Sequence, residues 1–424
     1  MTAQLATGSG DPGAAVARRL VIADLAYQYP VAPVDGMPVL VAELAAEAGD
    51  EPRAMEFLRP EQTVTQKVSA IDARGVQRSL APPAEPLTTW ADTDISKDFT
   101  GYLRTAFPAE AEVPDYTNPP LSALTPLMLL RTHATAAQPY TEVLMCARLR
   151  TIGVLFVRVA RFSHSADASL SKLVTEAMEH RFELQDYVRF ESNAFLPYEK
   201  GVEIEQKVTL RHEASIWSLS KGMWTAVENG DFPGFITDPG YELTRWHFVQ
   251  HNFEVLGPAE EVGHYAFQEN PDGSYALKMK KFSADALRRE ETFREGVRVP
   301  GGDFEAYLAM EFPALRFRRL PSFQRTRFDV NVESVTTGHC FGIETDEVTV
   351  EAAGGRKLRQ VEMEYLQTRR HEGMDASSIE DDLDRLTSLV EAYLARIGVA
   401  AERNLYSKLS FLRDCTSAPV PVDS

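Results

Sequence analysis

The chain has 424 residues, of which 44% are hydrophobic and 25% charged, and a formal net charge of −18. These values are typical of a folded globular protein, and the length favours two domains of about 200 residues each. The acidic net charge excludes a general role in nucleic-acid binding, because contact with a phosphate backbone requires a basic face. An anion site in this chain must therefore be a local concentration of basic side chains.

The amino-terminal segment predicts neither a signal peptide nor a membrane span. Residues 1–18 lack a continuous apolar run and are rich in small residues, so we expect a disordered tail. No stretch approaches the roughly 18 to 20 apolar residues that cross a bilayer, which favours a cytoplasmic protein without membrane contact. The cysteines lack zinc or redox spacing and are expected to be reduced packing residues: Cys146, Cys340 and Cys415.

The first half, residues 19–195, predicts a mixed α/β domain whose fold is not assigned. β-branched and aromatic residues dominate 141–148 and 152–162, which predicts a β-hairpin. Apolar residues at helical spacing predict a helix over about 165–184. The hairpin carries Arg148, Arg150, Arg158 and Arg161. Ion pairing is the favoured interpretation of these arginines, and a lid or docking surface is the alternative.

Residues 196–418 are expected to form a second domain, because charged side chains alternate along its predicted strands. Glu203, Glu205 and Lys207 lie two residues apart, so they project from one face of a strand while apolar residues project from the other. The same spacing of charged residues recurs in four further predicted strands: Lys278 and Lys280; Arg316 and Arg318; Arg325, Arg327 and Asp329; and Glu362 and Glu364. One such strand is typical of an ordinary sheet that faces water. Five strands with basic and acidic pairs kept apart indicate a ligand between them, inside a closed barrel.

A helix is predicted near the end of this domain. Ser377 is followed three residues later by Glu380, which is a capping-box pattern. Apolar residues then step by four and three as far as Ile397, so we expect one face of this helix to be buried against the sheet.

This mixture of charges suits an oligophosphate with a divalent metal. Mg²⁺ and Mn²⁺ prefer carboxylate and phosphate oxygens, whereas lysine and arginine bind phosphate directly. The chain contains neither a GxxxxGK[ST] phosphate loop nor an HExxH zinc motif. His164 near Asp167, and His371 beside Glu372, lack further ligands at suitable spacing and are not expected to bind metal.

The segment Glu203-Ile204-Glu205-Gln206-Lys207 matches the ExExK signature of CYTH domains, and later elements follow in the same order. These are the basic strand with Lys278 and Lys280, the RxR strand with Arg325 and Arg327, the acidic segment 344–347, the ExE strand with Glu362 and Glu364, and the pair Ser407 and Lys408. About half of the chain therefore resembles the CYTH or triphosphate tunnel metalloenzyme superfamily. The resemblance implies an α+β fold: a closed eight-stranded antiparallel tunnel with flanking helices, preceded by the separate mixed α/β domain.

The resemblance also implies roles for individual residues. The expected metal ligands are Glu203, Glu205, Glu362 and Glu364, with Asp346 as a further acidic member, and the expected phosphate contacts are Lys207, Lys278, Lys280, Arg325, Arg327 and Lys408. Glu205 and Lys207 are the expected catalytic residues. Many members carry arginines where this chain has Lys278 and Lys280, so the bidentate fork is lost there although the charge is kept.

Three functions remain open on the sequence. The leading hypothesis is a Mg²⁺- or Mn²⁺-dependent phosphohydrolase of an inorganic or organic triphosphate. The alternatives are a lyase or cyclase that releases diphosphate, and a non-catalytic sensor of polyphosphate or nucleotide. The expected partner is a small molecule that contains an oligophosphate, and homodimerisation is left open. Segments 217–262 and 283–312 are interpreted as long loops; Trp224, Trp246 and His247 in the first could stack on an organic group, although local packing is favoured.

Overall fold

The computed structural model describes residues 15–24, 39–82 (except 46, 49–52 and 73), 105, 124–180 (except 136–137 and 151–152) and 194–417 (except 212 and 239–242). These residues divide into two compact units. The first contains the described residues up to Leu196 together with Val335–Gly338 and Arg369–Met374. The second, called the tunnel unit, contains Pro197–Ser334, His339–Thr368 and the described residues from Asp375 onward.

The first unit is a curled antiparallel sheet with one described helix. The strands of this sheet are β1 (Ala15–Asp24), β2 (Val39–Leu44), β3 (Glu47–Ala48), β4 (Met55–Leu58), β5 (Thr65–Ile71), β6 (Gln77–Leu80), β7 (Leu124–His133), β8 (Tyr140–Arg150) and β9 (Gly153–Ser163); the short strand β10 (Phe195–Leu196) is not part of it. The sheet order is β4-β9-β8-β7-β1-β2-β5-β6, with β3 paired to β1. The predicted hairpin is confirmed as β8 and β9.

Both faces of this sheet are buried. Helix α1 (Leu170–His180) packs Leu173, Val174 and Ala177 against one face. The other face carries a separate apolar cluster that includes Leu20 and Phe156. The helix is shorter than predicted, because residues 165–169 are not helical, and residues 181–184 lie outside the described part. Residues 15–18 of the expected tail form the start of β1, and residues 1–14 lie outside the described part.

The tunnel unit closes eight antiparallel strands into a ring, which confirms the predicted fold class. Its strands are β11 (Val202–Leu210), β12 (Phe235–Thr237), β13 (Thr244–Gly257), β14 (Gly263–Glu269), β15 (Tyr275–Lys281), β16 (Arg288–Val297), β17 (Arg316–Ser334), β18 (His339–Val350), β19 (Arg356–Arg369) and β20 (Ala401–Asn404). The ring runs β11-β19-β18-β17-β13-β14-β15-β16 and returns to β11. Gly354 and Gly355 have positive φ in the turn between β18 and β19, where glycine avoids a Cβ clash.

Four helices surround the ring: α2 (Ile216–Glu228), α3 (Phe304–Glu311), α4 (Ile379–Arg396) and α5 (Lys408–Ser417). The apolar residues between the charged ones, such as Ile204 and Val208, point outward and pack in a cluster with α2 and α4. Helix α5 instead packs on Val348, which lies opposite Arg325 in the β17–β18 register. Directly paired residues share one face of a sheet, so Val348 faces the tunnel interior as Arg325 does. Helix α5 therefore covers one end of the tunnel.

Two sequence interpretations are wrong. The long loops predicted at 217–262 and 283–312 contain most of α2, β12, β13, β16 and α3. The predicted capping box also does not form. Helix α4 begins at Ile379, its N-cap Ser378 makes no side-chain cap bond, and the Ser377 hydroxyl donates to Asp375 instead. The predicted apolar face of α4 is confirmed, because Leu383, Leu386 and Val390 are buried.

None of the described helices combines the length and hydropathy that a transmembrane span requires. The three cysteines are free and buried, as expected.

Candidate active site in the tunnel

The charged stripe of β11 lines the interior of the ring. Glu203, Glu205 and Lys207 are 6%, 1% and 3% exposed. Glu205 lies opposite Glu364 and Lys207 lies opposite Glu362 in the β11–β19 register. Since the side-chain period of a strand is two, closing the ring brings both stripes to the same interior surface.

The interior holds many basic and acidic side chains. The basic ones include Lys207, Lys278, Lys280, Arg289, Arg325, Arg327 and Lys408, and the acidic ones include Glu203, Glu205, Glu291, Glu344, Asp346, Glu362 and Glu364. Burying so many charges is costly unless they are paired. Six of the acidic groups are paired with a basic group in this ligand-free arrangement.

Glu362 lies at the centre of a basic cluster. The Nζ atoms of Lys207 and Lys408 each lie 2.7 Å from its Oε1, and an Nη atom of Arg327 lies 2.7 Å from its Oε2. These cations outweigh the effect of burial and hold the pKa of Glu362 well below its usual range. Asp346 joins this cluster through Arg327 Nε at 2.8 Å.

A second ion-pair group surrounds Glu203. Lys280 donates to both of its carboxylate oxygens, and Arg289 Nη2 lies 3.3 Å from Oε2. Glu291 provides a second anion for the lysines, at 2.7 Å from Lys278 and 3.1 Å from Lys280. Burial opposes ionisation of Glu203, but Lys280 and Lys278 keep its pKa well below the usual value.

Three carboxylates of the interior form a cluster. Oxygen atoms of Glu203, Glu205 and Glu364 lie within 4.8 Å of one another. Among the described residues no lysine or arginine is ion-paired with Glu364. Burial, together with the negative charges of Glu344 and Glu203, raises the pKa of Glu364 to about 8. This donor set of hard oxygens fits a divalent cation.

A cavity of about 530 Å³, including space open to solvent, runs along these groups. Its charged wall includes Lys207, Arg325 and Glu362, and α5 contributes Lys408. A different part of the wall is uncharged and polar, because Gln250 of β13 and His264 of β14 line it. The cavity is therefore lined both by charged side chains and by uncharged hydrogen-bonding groups.

No protein-family model and no curated protein sequence match the chain. Among solved structures, HpAC1 from Hippeastrum, described as an adenylyl cyclase candidate with a dominant triphosphatase activity, matches with a TM-score of 0.31 and 15% identity. That match covers 52% of this chain and 99% of HpAC1. Two structures of the S. pombe RNA triphosphatase Pct1, one with the Spt5 CTD, match with TM-scores of 0.21 and 0.20 and identities of 12% and 13%. They cover 47% and 51% of this chain and 83% of Pct1 in each case.

These scores carry no functional information, and the resemblance rests on the closed ring and its inward charges. The eight-stranded tunnel that the sequence resemblance implied is present.

All of the predicted site residues lie in the tunnel, but their grouping differs from the one expected from the sequence. Glu203, Glu205 and Glu364 lie together, whereas Glu362, grouped with them on the sequence, lies among the basic side chains. Sequence reasoning missed the interior residues Arg289 and Glu291, because β16 carries charges on both faces. It also missed Gln250, Asn252 and His264, which carry no fixed charge and so form no charged stripe.

The other sequence signals have structural explanations. His164 lies within hydrogen-bond distance of the Thr141 hydroxyl and the Ser165 carbonyl, and His371 lies within hydrogen-bond distance of the Glu372 and Thr337 carbonyls. Arg158 and Arg161 of the basic hairpin pair with Glu142, as the favoured interpretation expected.

The aromatic residues in the segments misread as loops are also accounted for. Trp224 packs on the apolar cluster beside α2. Trp246 is 49% exposed and donates its indole N–H to Asp329, while His247 bonds Thr326.

Proposed function

We propose that the tunnel unit is a metal-dependent phosphohydrolase that acts on an inorganic or organic triphosphate. The observation that supports this most strongly is a cluster of three buried carboxylates, one of which, Glu364, is not ion-paired with any described lysine or arginine, beside a set of buried lysines and arginines. A closed barrel that only needed stability would replace these charges with apolar residues at little cost.

The proposed metal ligands are Glu203, Glu205 and Glu364, and the resemblance adds Glu362. The first three fit the group, because they are close, mostly buried, and offer only oxygen. When bound, Mg²⁺ or Mn²⁺ supplies Lewis-acid polarisation of phosphoryl oxygens.

The proposed phosphate contacts are the inward basic side chains Lys207, Lys278, Lys280, Arg325, Arg327 and Lys408. Each is paired with a carboxylate in the ligand-free arrangement. A triphosphate therefore competes with these carboxylates for the same nitrogen atoms. A triphosphate alone would bring several negative charges into a tunnel that already holds buried carboxylates, so added cations favour its binding.

Lys207 and Glu205 connect the two charge groups. Lys207 Nζ lies beside both Glu205 and Glu362, so it sits between the carboxylate cluster and the basic cluster. In this position the ammonium group is suited to stabilise the charge that develops on the transferred phosphoryl group. Glu205 is held by Arg289 and Lys207, which fixes its carboxylate toward the cluster.

The test is phosphate release from a panel of inorganic triphosphate, nucleoside triphosphates and other organic triphosphates, with Mg²⁺, Mn²⁺ or a chelator. We expect orthophosphate release that requires metal and that falls sharply in Lys207→Ala. Matched controls are Lys281→Ala and Glu290→Gln, whose side chains lie outside the tunnel cavity; both should retain activity within about twofold.

Two outcomes would contradict the proposal. Release of pyrophosphate without orthophosphate would identify a diphosphate-releasing lyase or cyclase. Tight metal-dependent binding without turnover on any member of the panel would identify a sensor.

A further inference from the structure

The uncharged wall of the cavity is an ordered hydrogen-bonded group. Gln250, Asn252 and His264 lie on β13 and β14 and are all nearly fully buried. Gly263 fixes the start of β14, because a Cβ there would lie 1.9 Å from the Lys280 carbonyl oxygen. His264 is thereby held directly opposite Lys280 in the β14–β15 register.

The hydrogen bonds determine which ring nitrogen of His264 carries the proton. Asn252 Nδ2 donates to the carbonyls of Gln250, at 3.1 Å, and Pro321, at 3.0 Å. Its Oδ1 therefore accepts, and it receives Gln250 Nε2 at 2.8 Å and His264 Nε2 at 3.1 Å. His264 thus bears its proton on Nε2 and presents Nδ1 as a lone-pair acceptor.

No described residue is hydrogen-bonded to His264 Nδ1, although the imidazole of His264 lines the cavity. At neutral pH the inner oxygens of a triphosphate are acceptors, so they cannot satisfy this nitrogen. This nitrogen requires a hydrogen-bond donor, and the attacking water that a hydrolytic reaction requires can supply one.

We propose that His264 is the general base of the hydrolysis. This inference rests on the proposed function. One proton of a water molecule passes to Nδ1 as the water oxygen bonds to the terminal phosphorus. The bond from that phosphorus to the bridging oxygen breaks, and its electron pair leaves on the diphosphate. The imidazolium then returns its proton to product or solvent, which restores the starting state.

Charged groups around the His264 imidazole affect its basicity. Lys278 and Lys280 lie on β15, Lys408 and Arg413 lie on α5, and Glu254 lies directly opposite His264 on β13. Burial has the largest effect and the nearby lysines and Arg413 add to it, and together they lower the pKa of His264 to about 3. The imidazole is therefore neutral before substrate binds. A bound polyanion offsets the cations and raises the basicity of Nδ1 at the moment when it is used.

The experiment compares His264→Gln and His264→Ala with wild type, using metal-saturated full-length enzyme and inorganic triphosphate. Glutamine can keep the bond to Asn252 and an acceptor atom, so it separates hydrogen bonding from proton transfer. His251→Gln is the matched control, since His251 is on β13 but is bonded to Ser322 and Glu269 outside the cavity. Binding of a non-hydrolysable triphosphate analogue is measured by calorimetry in parallel.

We expect kcat to fall by about 100-fold or more in both His264 variants, with KM and analogue affinity within about threefold. Added imidazole should restore kcat in His264→Ala, and His251→Gln should match wild type. Near-normal kcat in His264→Gln, or a loss in His264→Ala that imidazole does not restore, would overturn the inference. An inactive wild type would instead refute the proposed function.

Discussion

The two units of the chain both bury arginine and glutamate side chains, yet they hold these charges in different electrostatic states. In the first unit, Glu142 is fully buried and is bonded by Arg131 at 3.0 Å and by Arg158 and His133 at 2.9 Å. Burial opposes its ionisation, but the His133 bond and these arginines still hold its pKa below the usual range. In the tunnel, burial and neighbouring carboxylates raise the pKa of Glu364 to about 8.

This contrast indicates which buried charges are available for function. The cations around Glu142 satisfy the carboxylate, so the network is explained by folding alone. Glu364 has no ion-paired lysine or arginine among the described residues and lies beside a cavity, as do the cations that a polyanion could attract. An unsatisfied carboxylate next to a solvent-filled space is a better indicator of a ligand site than a dense ion-pair network.

The largest expected effect comes from the tunnel carboxylates. Glu205→Gln should lower kcat/KM for triphosphate hydrolysis by at least about 100-fold, because it removes a charge from the proposed metal cluster. Steady-state phosphate release at saturating Mn²⁺ measures this loss. Glu290→Gln is the control, and equal activity in Glu205→Gln and Glu290→Gln would remove Glu205 from the site.

In the first unit the expected effect is on stability rather than activity. Glu142→Gln leaves Arg131, Arg158 and His133 without their shared anion, which should cost about 3–5 kcal/mol of unfolding free energy. Denaturant unfolding of the full chain measures this change. Glu179→Gln, an exposed substitution on α1, should change stability by less than about 0.5 kcal/mol. Phosphate release per folded molecule should be unaffected, since these residues do not line the tunnel cavity.

The two carboxylates should respond to pH with opposite signs in metal-free protein. The folded-state pKa of Glu142 is lowered, so its stabilisation is present above about pH 4.5 and is lost as the pH falls further. The folded-state pKa of Glu364 is raised, so the folded form binds the proton more tightly, and stability from this group falls as the pH rises from about 4.5 to 8.

Melting temperatures in a chelating buffer test this difference. Glu364→Gln should melt at least about 4 °C above wild type at pH 8 and close to wild type at pH 4.5. Glu142→Gln should melt well below wild type at pH 7, and the gap should narrow toward pH 3. The same pH trend for both variants would contradict the assigned electrostatic states.

The smallest expected effect concerns the exposed aromatic residue on β13. Trp246→Ala removes one indole–Asp329 hydrogen bond at the surface, and Trp246 does not line the cavity. Hydrolysis of inorganic triphosphate should therefore stay within about threefold of wild type. A large loss confined to organic triphosphates would instead place a stacking subsite at this end of β13.

The sequence predicted the tunnel because several of its strands have one charged and one apolar face. The alternation at Glu203, Glu205 and Lys207 survives in the structure as interior and exterior residues. Strand β16 escaped prediction, because Arg289 and Glu291 alternate with the outward-facing Arg288 and Glu290, so no stripe is visible.

Tertiary placement explains what pattern reasoning could not provide. The separation of Glu362 from Glu364 depends on which cations β17 and α5 bring near each one, and neither is local in sequence. The uncharged wall at His264 depends on pairing between β13 and β14. The sheet of the first unit also pairs strands that are distant in the chain, such as β1 with β7 and β4 with β9, and these pairings have no local sequence signal.

The central claim is the division of the tunnel into a carboxylate cluster for metal and a basic wall for phosphate. A crystal structure with Mn²⁺ and a non-hydrolysable triphosphate analogue, with anomalous density to locate manganese, tests it most directly. The account predicts manganese bound by Glu203, Glu205 and Glu364, with the analogue's phosphates against Lys207, Arg325, Arg327 and Lys408. Manganese bound away from these carboxylates, or an analogue outside the tunnel, would contradict it.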